Sequence, residues 1–269
     1  MNPKISVIMS VYNGEQYLDK GITSILNQTF SDFEFIICDD CSNDNTLDLL
    51  NKFAQIDKRI IVIHNEKNMG LAYSLNRCIE LSKCDILARQ DADDESALNR
   101  FEIQFPFVLN HPEYAIVGTS WYSVNGTSKN LVNPIEIPTA KQMLWGGSYM
   151  HPSWMMRKEA LKKVNYYTAT DLTRRDQDYH LVMKLLGIGL KIYNLQTPLY
   201  FYTADEGAFK RTKSWKRVKG LMWIRFDSYK RNKFPFWYYV AVLKPFIKML
   251  MPNFISKWIY NRKMNNEKK

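Results

Sequence analysis

Short apolar runs alternate with helical segments along the first third of the chain. Four runs have the length and apolar content of buried strands. They are residues 5–11, 33–38, 60–64 and 86–88. Helical segments lie between them, at residues 16–27, 46–55 and 71–81. Strands that alternate with helices in this way predict right-handed crossovers and a mainly parallel central sheet flanked by helices, which is an α/β fold.

Fewer elements are predicted beyond residue 95. Residues 118–138 are rich in Ser, Asn, Gly and Thr, which is typical of loops or a hairpin. The other predicted elements are helices at 98–110 and 179–186 and strands at 114–117 and 190–193.

The composition is that of a folded protein without a membrane span. Apolar residues make up 46% and aromatic residues 14% of the 269 residues, which is too apolar for a disordered chain. No export signal precedes the first apolar run, and no stretch reaches the roughly 18 uncharged apolar residues that a spanning helix needs. The spacing of the four cysteines fits neither zinc nor a disulfide framework, so we predict free thiols and a cytoplasmic protein.

Charge is distributed unevenly along the chain. Residues 1–209 contain 20 Lys and Arg against 25 Asp and Glu, whereas residues 210–269 contain 17 Lys and Arg against two acidic residues. Two regions of opposite charge indicate different partners. We predict one domain at 1–209 and a basic, aromatic, amphipathic helical extension at 210–269.

Polar side chains gather where the predicted strands end. Ligands of open parallel sheets bind beyond the carboxyl ends of the strands. Polar segments follow the four strands at residues 10–13, 39–42, 65–70 and 90–94. We therefore expect the functional site at this edge of the sheet.

Three carboxylates lie within four residues in the last segment, at Asp91, Asp93 and Asp94. Like charges this close repel one another unless a cation neutralises them. Carboxylate oxygens favour Mg²⁺ or Mn²⁺, which commonly bridge carboxylates to phosphate oxygens. The alternative interpretation is a solvated acidic turn in which Asp94 caps a helix. The position at the sheet edge favours the metal site.

A second acidic pair, Asp39 and Asp40, ends the second predicted strand. A carboxylate at this place can accept a hydrogen bond from the N3–H of uracil or from the hydroxyls of a ribose. The alternative is a helix-capping turn, because Ser42, Asn43 and Asp44 follow. Both interpretations stay open, and one turn can serve both purposes.

An ordered set of motifs resembles the family 2 inverting glycosyltransferases. The matching segments are residues 5–14, 24–30, 38–44, 68–71, 88–94 and 151–153. The resemblance covers about residues 4–200, and the order of the motifs is more specific than any one of them. It implies a GT-A fold, with a nucleotide-sugar-binding half at 1–95 and an acceptor-binding half at 96–209.

The resemblance also implies a role for individual residues. Asp93 and Asp94 match the DXD-type motif, which holds a divalent metal, Mn²⁺ or Mg²⁺, against the donor pyrophosphate. Asp40 matches the carboxylate that recognises the nucleobase of the donor. The other donor-binding residues that it implies are Ser10, Val11, Tyr12, Asp39, Asn68, Gly70, Arg89 and Asp91.

The general base of the family is an Asp in a Glu-Asp-type motif that opens a helix. The matching residues are Gln177 and Asp178, so Asp178 is the predicted catalytic base, with Asp176 as the nearby alternative. Gln177 in place of Glu and His180 in place of a common Asp depart from the pattern and bear on the acceptor. His151 is predicted to line the acceptor site, and the alternative is a hydrogen bond within the fold.

The implied activity is inverting transfer of one sugar from a nucleotide-sugar, with UDP favoured, to a hydroxyl of a lipid-linked saccharide. Bacterial capsule and O-antigen assembly are the implied setting. The Gln-x-x-Arg-Trp motif of processive synthases is absent from the sequence. Two alternatives stay open: a nucleotidyltransferase, although the Gly-rich basic N-terminal loop is missing, and an inactive scaffold or sugar-binding subunit.

Aromatic residues interleaved with Lys and Arg in residues 210–269 suit a helix that lies on an anionic membrane surface. The predicted location is therefore the inner face of the cell membrane. The alternative is a helical cap on the catalytic domain. Nucleic acid is not an expected partner, because no recognition motif accompanies the charge. The sequence leaves the oligomeric state open.

Overall fold

The computed structural model describes residues 3–144, 149–203 and 214–251. Within these ranges the strands form one nine-stranded sheet. Alternate side chains of β1 (Ile5–Val11) belong to two different cores. Ile8 packs in one core with residues of the third and seventh helices, and Val7 and Met9 pack in the other with residues of the first and fourth. The sheet therefore carries helices on both faces.

The N-terminal half of the sheet is parallel, as the alternation of strands and helices predicts. After β1, its strands are β2 (Phe33–Asp39), β3 (Ile60–His64) and β4 (Ile86–Arg89). The helices between the strands are α1 (Leu18–Leu26), α2 (Thr46–Ile56) and α3 (Leu71–Leu81). The strand order β3-β2-β1-β4 brings the carboxyl ends of all four strands to one edge.

The C-terminal half of the sheet mixes the two directions. Its strands are β5 (Glu95–Ser96), β6 (Tyr114–Asn125), β7 (Ser128–Val132), β8 (Met155–Arg157) and β9 (Lys191–Thr203). β8 runs antiparallel between β4 and β6, whereas β6 and β9 are parallel. β5 and β7 pair antiparallel with β9 and β6. The prediction of a mainly parallel sheet is thus confirmed for β1–β4 and needs correction for the second half.

The remaining helices cover this second half. They are α4 (Arg100–Asn110), α5 (Ala140–Met143), α6 (Lys158–Lys163), α7 (Gln177–Gly187) and a 3-10 turn at His151–Ser153. α7 begins two residues earlier than the apolar spacing predicts, so that it includes Asp178. All four cysteines are free thiols.

Two strands are longer than their apolar runs. β6 continues to Asn125 and β9 to Thr203, because the backbones of the two strands pair with each other beyond their apolar runs. The predicted hairpin in 118–138 is confirmed, and Gly126 takes a positive φ of 57° between β6 and β7. β5 and β8 have two and three residues, which is too short for a periodic signal.

Residues 214–251 form a helical unit that packs on α7. It comprises α8 (Trp215–Arg231), a 3-10 helix at Phe236–Leu243 and α9 (Lys244–Leu250). Nε2 of the buried His180 on α7 lies 2.9 Å from Asp227 Oδ2 on α8, and Asn232 Nδ2 donates to the Met183 carbonyl at 3.0 Å. The boundary between 209 and 210 stays a prediction, and residues 204–213 and 252–269 lie outside the described residues. No helix among those described is long and apolar enough to cross a bilayer.

Gly220 sets the approach of α8 to the segment that leads into α7. A Cβ at this position would overlap the carbonyl of Leu172. Gly220→Ala should therefore lower the free energy of unfolding by about 1–3 kcal/mol, although Gly→Ala inside a helix normally stabilises by about 1 kcal/mol. Chemical denaturation measures the change. Lys219→Ala, on the exposed face of the same helix, is the control, and a stabilised Gly220→Ala variant would contradict this packing.

Candidate active site

The acidic loop Asp91–Asp94 lies between β4 and β5, at the carboxyl edge of the parallel strands. One carboxylate oxygen from each of Asp91, Asp93 and Asp94 lies within 4.8 Å of the others. Asp94 is fully buried, Asp91 is half-buried and Asp93 is exposed. A site of this kind is open to a ligand on one side and fixed to the protein on the other.

Backbone and amide contacts hold the loop in this shape. Nε2 of the buried Gln90 donates to the carbonyls of Asp91 and Asp94 at 3.0 and 2.9 Å. The Thr203 amide, at the end of β9, donates to Asp94 Oδ1 at 2.8 Å. Gly21 on α1 allows a close approach, since a Cβ there would lie 2.5 Å from the Ala92 carbonyl oxygen. These contacts hold the loop from three directions, and none of them uses a carboxylate oxygen of Asp91 or Asp93.

The charge of the loop is uncompensated at one buried oxygen. Asp94 Oδ2 is buried and has no hydrogen-bond partner in the described structure. Burial, and then the charges of Asp91 and Asp93, raise the pKa of Asp94 to about 8. A buried acceptor facing two more carboxylates fits a hard divalent cation such as Mg²⁺ or Mn²⁺. The donor set therefore agrees with the predicted metal residues Asp93 and Asp94.

Arg89 joins the acidic loop to the rest of the site. Its side chain is almost fully buried, and Nη2 forms an ion pair with Asp91 Oδ1. Nε and Nη1 are buried without a hydrogen-bond partner in the described structure. Two unsatisfied N–H donors next to a carboxylate cluster are suited to an anionic ligand, since Arg binds phosphate through a fork of N–H groups.

Asp178 is half-buried in the first turn of α7. Its Oδ1 accepts the Tyr179 amide at 2.8 Å. Burial, and to a lesser extent the charge of Asp176, raise the pKa of Asp178 to about 6. Asp176 precedes the helix in the left-handed conformation, with a φ of 60°. A carboxyl with this pKa is ionised at neutral pH and can take up a proton, as a general base must.

Asp178 and the acidic loop both interact electrostatically with Arg89 and Tyr167. The charge of Arg89 opposes the rise in the pKa of Asp178, and Arg89 also pairs with Asp91. The charges of Asp178 and Asp91 both raise the pKa of the buried Tyr167 hydroxyl. The predicted base and the predicted metal loop, which are separate in sequence, therefore belong to one side of the sheet edge.

The carboxylate of Asp40 fixes the loop after β3. Its Oδ1 accepts Asn65 Nδ2 and the Met69 amide at 2.7 and 2.8 Å, and its Oδ2 accepts the Gly70 amide at 2.7 Å. Each carboxylate oxygen has two lone pairs, so Oδ2 keeps one for a further donor. Recognition of the nucleobase by Asp40 stays a prediction, and the structure adds that Asp40 organises the loop after β3.

Asp39 is fully buried at the end of β2. Its Oδ2 accepts the Ser42 amide at 3.1 Å and lies 2.8 Å from His64 Nδ1. The contact with Ser42 closes the turn but does not cap α2, whose N-cap residue Asn45 makes no side-chain capping hydrogen bond. Asp44 Oδ1 accepts the Thr46 amide at 3.1 Å at the start of that helix. The predicted contact of Asp39 with the donor stays a prediction, and direct access is limited by this burial.

The predicted nucleobase wall is only partly exposed. Tyr12 is 47% exposed, Ser10 is intermediate and Val11 is buried. The Val11 carbonyl accepts the Asp40 amide at 2.8 Å, so β1 and the Asp40 turn are one unit. The three residues lie at the same edge as the acidic loop, and their contact with a base stays a prediction.

Asn68 and Gly70 line a cleft of about 270 Å³ beside the Asp40 turn. Arg174 forms the opposite wall and donates to Asn68 Oδ1. Gly70 has a φ of 89°, a backbone conformation that suits glycine, and its amide reaches Asp40. The cleft thus separates the loop after β3 from the segment that leads to Asp178.

His151 and Gln177, the residues predicted to act at the acceptor site of the general base Asp178, are both buried. His151 Nε2 lies 2.7 Å from the Tyr167 hydroxyl, and burial holds the pKa of His151 well below its usual range. This geometry agrees with the alternative of a hydrogen bond within the fold. Gln177 Oε1 has no hydrogen-bond partner in the described structure. The acceptor roles of both residues stay predictions.

The sequence did not reveal the residues that support the site. Burial, and then the charges of Asp178 and Asp176, raise the pKa of Tyr149 well above its usual value. The Tyr200 hydroxyl accepts the Asp91 amide at 3.3 Å. Arg100, fully buried behind the loop, donates to Ser96 Oγ at 2.9 Å. Single aromatic or basic residues in strands and helices carry no local signal of such contacts.

The match to known proteins agrees with this geometry. The model of the family "Glycosyl transferase family 2" matches residues 6–165, and the chain belongs to this family. It is 34% identical over 269 residues to the protein EpsE of Bacillus subtilis, covering 99% of this chain and 96% of EpsE. It is 32% identical over 188 residues to the O-antigen biosynthesis glycosyltransferase WbnJ of Escherichia coli, covering 68% of this chain and 71% of WbnJ.

The fold is similar to that of TarS from S. aureus, solved in complex with UDP-GlcNAc. The TM-score is 0.68 at 18% identity, and the match covers 92% of this chain and 82% of the TarS chain. The GT-A fold is thereby confirmed. The chain is a glycosyltransferase with relatives in surface-polysaccharide biosynthesis.

The buried charge of Asp94 predicts a pH-dependent stability. The pKa of Asp94 is higher in the folded than in the unfolded state, so its contribution is most favourable below the unfolded pKa and is lost as the pH rises to about 8. Without a divalent metal at pH 8, Asp94→Asn should therefore be more stable than the wild type by about 1–4 kcal/mol. Asn retains the oxygen that accepts the Thr203 amide.

Urea denaturation at pH 4.5 and pH 8 in the presence of a chelator measures this difference. The gain in stability should shrink at the lower pH. Glu95→Gln, which removes an exposed charge next to the loop, is the matched control. An Asp94→Asn variant that is less stable than the wild type at both pH values would contradict the account of a repulsive loop.

Proposed function

We propose that this chain transfers one sugar from a UDP-sugar to a hydroxyl of a lipid-linked saccharide, with inversion at the anomeric carbon. The observation that carries the proposal is the meeting of Asp178 and the acidic loop around Arg89 and Tyr167. TarS, whose fold is similar, is solved with UDP-GlcNAc, which supports a UDP-sugar donor. A general base beside a loop suited to a divalent cation is the arrangement that direct displacement at a sugar phosphate uses.

Donor binding is assigned to the loops at the carboxyl ends of β1–β4. Asp40 Oδ2 accepts a hydrogen bond from the nucleobase through its remaining lone pair. The cleft beside Asn68 and Gly70 adjoins the Asp40 turn. Asp93 and Asp94 would hold a divalent metal, and Asp91 keeps Arg89 oriented. A bound Mn²⁺ or Mg²⁺ supplies Lewis-acid neutralisation of the diphosphate charge. The unpaired N–H groups of Arg89 add donors for the same charge.

The chemistry proposed for Asp178 is proton removal from the acceptor hydroxyl. As the acceptor oxygen forms its bond to the anomeric carbon, the bond from that carbon to the diphosphate oxygen breaks on the opposite face. The proton passes to a carboxylate oxygen of Asp178, and the electron pair leaves with the nucleoside diphosphate. No covalent enzyme intermediate forms, and Tyr149 lies within the electrostatic influence of Asp178.

The proposed place of action is the cytoplasmic face of an anionic membrane. A lipid-linked acceptor is confined to that surface, and the basic residues of 210–269 are suited to it. Deleting 210–269 is a poor test, because α8 packs on α7 and its loss would also expose His180 and the residues around it. Variants of surface residues are therefore the better probes.

Asp178→Asn should abolish sugar transfer and leave donor binding intact. The amide keeps the size and the Tyr179 contact of the carboxylate but cannot accept the proton, so turnover should fall by roughly 10²–10⁴-fold. Transfer assays with UDP-sugars and calorimetric titration of UDP measure the two properties. Asp85→Asn, an exposed carboxylate that precedes β4 at the opposite end of the strand from the acidic loop, is the control. Equal loss of transfer and UDP binding would show that Asp178 supports the fold rather than the reaction.

The pKa of Asp178 predicts the acidic limb of the pH profile. The base must be ionised, so turnover should fall about tenfold per pH unit below pH 6 and level off above it. Asp176→Asn removes a negative charge that raises this pKa, and Asn tolerates the left-handed conformation. The acidic limb of the pH profile of the Asp176→Asn variant should therefore move to lower pH. A limb that stays in place in this variant would contradict the assignment of Asp178 as the titrating base.

A further inference from the structure

Large apolar side chains are exposed along the outer edge of the 3-10 helix and α9. Phe236 is 81% exposed, Val240 69% and Trp237 60%. We call the full set the apolar edge: Phe236, Trp237, Val240, Leu243, Ile247 and Leu250. Exposed apolar residues are common singly, whereas a row of six along fifteen residues marks an interaction surface.

A second exposed row lies on α8 and alternates aromatic residues with lysine. The row, which we call the aromatic–lysine stripe, comprises Trp215, Lys219, Trp223, Phe226 and Lys230. Its spacing of three and four residues places all five on one helix face. Trp215 contacts Phe246 with ring centroids 6.0 Å apart, and Phe226 contacts Tyr239 at 5.6 Å. The stripe and the apolar edge are therefore parts of one continuous surface.

The opposite side of the same unit already has its packing partners. Tyr229 and Ile224 are fully buried, and Tyr229 packs edge-to-face on Phe234 and Tyr239. Arg225 Nη1 donates to the Leu144 carbonyl at 2.8 Å. Of the aromatic–lysine stripe, Trp223 also packs on His180 of α7, with ring centroids 5.3 Å apart. The inner side and Trp223 thus fix the unit, and the apolar edge stays exposed.

Charge identifies the partner of this surface. Residues 210–269 contain 17 Lys and Arg against Asp227 and Glu267 alone. Such an excess repels a second copy of the same surface, and it attracts an anionic one. Nucleic acid would use the charge but leaves the aliphatic Val240, Leu243 and Ile247 without a function. An anionic lipid layer uses both, since its headgroups attract lysine and its acyl boundary takes up apolar and aromatic side chains.

We propose that the apolar edge inserts into the headgroup region of an anionic bilayer, with the aromatic–lysine stripe lying against the lipid phosphates. This inference rests on the proposed transfer to a lipid-linked acceptor and names the surface by which the enzyme reaches it. α8 packs on α7, whose first turn contains Asp178, so docking of this surface fixes the orientation of the base relative to the membrane. The surface acts in addition to the catalytic residues and contains none of them.

Vesicle co-sedimentation of the full chain tests the proposal. Vesicles of phosphatidylcholine alone are compared with vesicles that contain about one third phosphatidylglycerol, at low and high salt. The wild type should bind the anionic vesicles at least about tenfold more tightly, and salt should weaken the binding. Equal binding to both vesicles, or binding to neither, would overturn the proposal.

Two pairs of variants separate the apolar and the charged contributions. Phe236→Ser with Trp237→Ser should weaken binding to anionic vesicles about tenfold or more, since both side chains lose the lipid contact. Ile56→Ser with Leu109→Ser removes exposed apolar residues from α2 and α4 and should have no effect. Lys219→Gln with Lys230→Gln should also weaken binding, whereas Lys52→Gln with Lys58→Gln, the same charge change on another surface, should not. Equal effects of either test pair and its control would overturn the assignment.

Two further measurements keep this surface distinct from the transferase activity. Transfer to a water-soluble acceptor should be unchanged in the Phe236→Ser, Trp237→Ser variant, because that reaction needs no membrane. A wild type that binds anionic vesicles but transfers no sugar would refute the proposed function and leave the surface intact. Analytical ultracentrifugation without lipid should give the same mass for the wild type and this variant, and a dimer lost on substitution would assign the surface to a second copy.

Discussion

The mutual repulsion of three carboxylates at the end of β4 is the constraint around which the site is built. Asp91, Asp93 and Asp94 lie together although burial and the charges of Asp91 and Asp93 disfavour the ionisation of Asp94. Contacts from Arg89 and Gln90, which precede the loop, and from Thr203 at the end of β9 offset this cost. A loop that is fixed in an unfavourable electrostatic state is prepared for a cation, since no rearrangement is needed when the charge is neutralised.

The same electrostatic arrangement connects the two halves of the molecule. Arg89 pairs with Asp91 and lowers the pKa of Asp178, while burial and Asp176 raise it. A cation held by the acidic loop would, with the Arg89 guanidinium and the carboxyl of Asp178, form the opposed groups that displacement at a sugar phosphate uses. α8 then fixes the helix of Asp178 to the C-terminal unit. In the proposed function, α7 would therefore link activation of the acceptor by Asp178 to the surface formed by the C-terminal unit.

The sequence predicted those parts of the fold that have a local signal. Strands β1–β4 are continuous apolar runs, and the polar residues at their ends predicted the edge where the site lies. β6 and β9 were predicted only in their first residues, because their later positions are held by pairing with each other and not by an apolar pattern. Asp178 followed from resemblance to a family motif. Tyr200, Tyr167 and Arg100 were not predicted, because their contacts with Asp91, His151 and the Trp154 carbonyl join separate segments of the chain.

Calorimetric titration of UDP with and without Mn²⁺, on the wild type and on Asp93→Asn, tests the central claim most directly. Asp93 is exposed, so its replacement leaves the buried contacts of the loop in place. The account predicts that Mn²⁺ tightens UDP binding to the wild type by tenfold or more and that Asp93→Asn loses this gain, as expected when a metal bridges carboxylate and phosphate oxygens, roughly 1.4 kcal/mol for each factor of ten. Equally tight binding of UDP without metal, and in the variant, would contradict it.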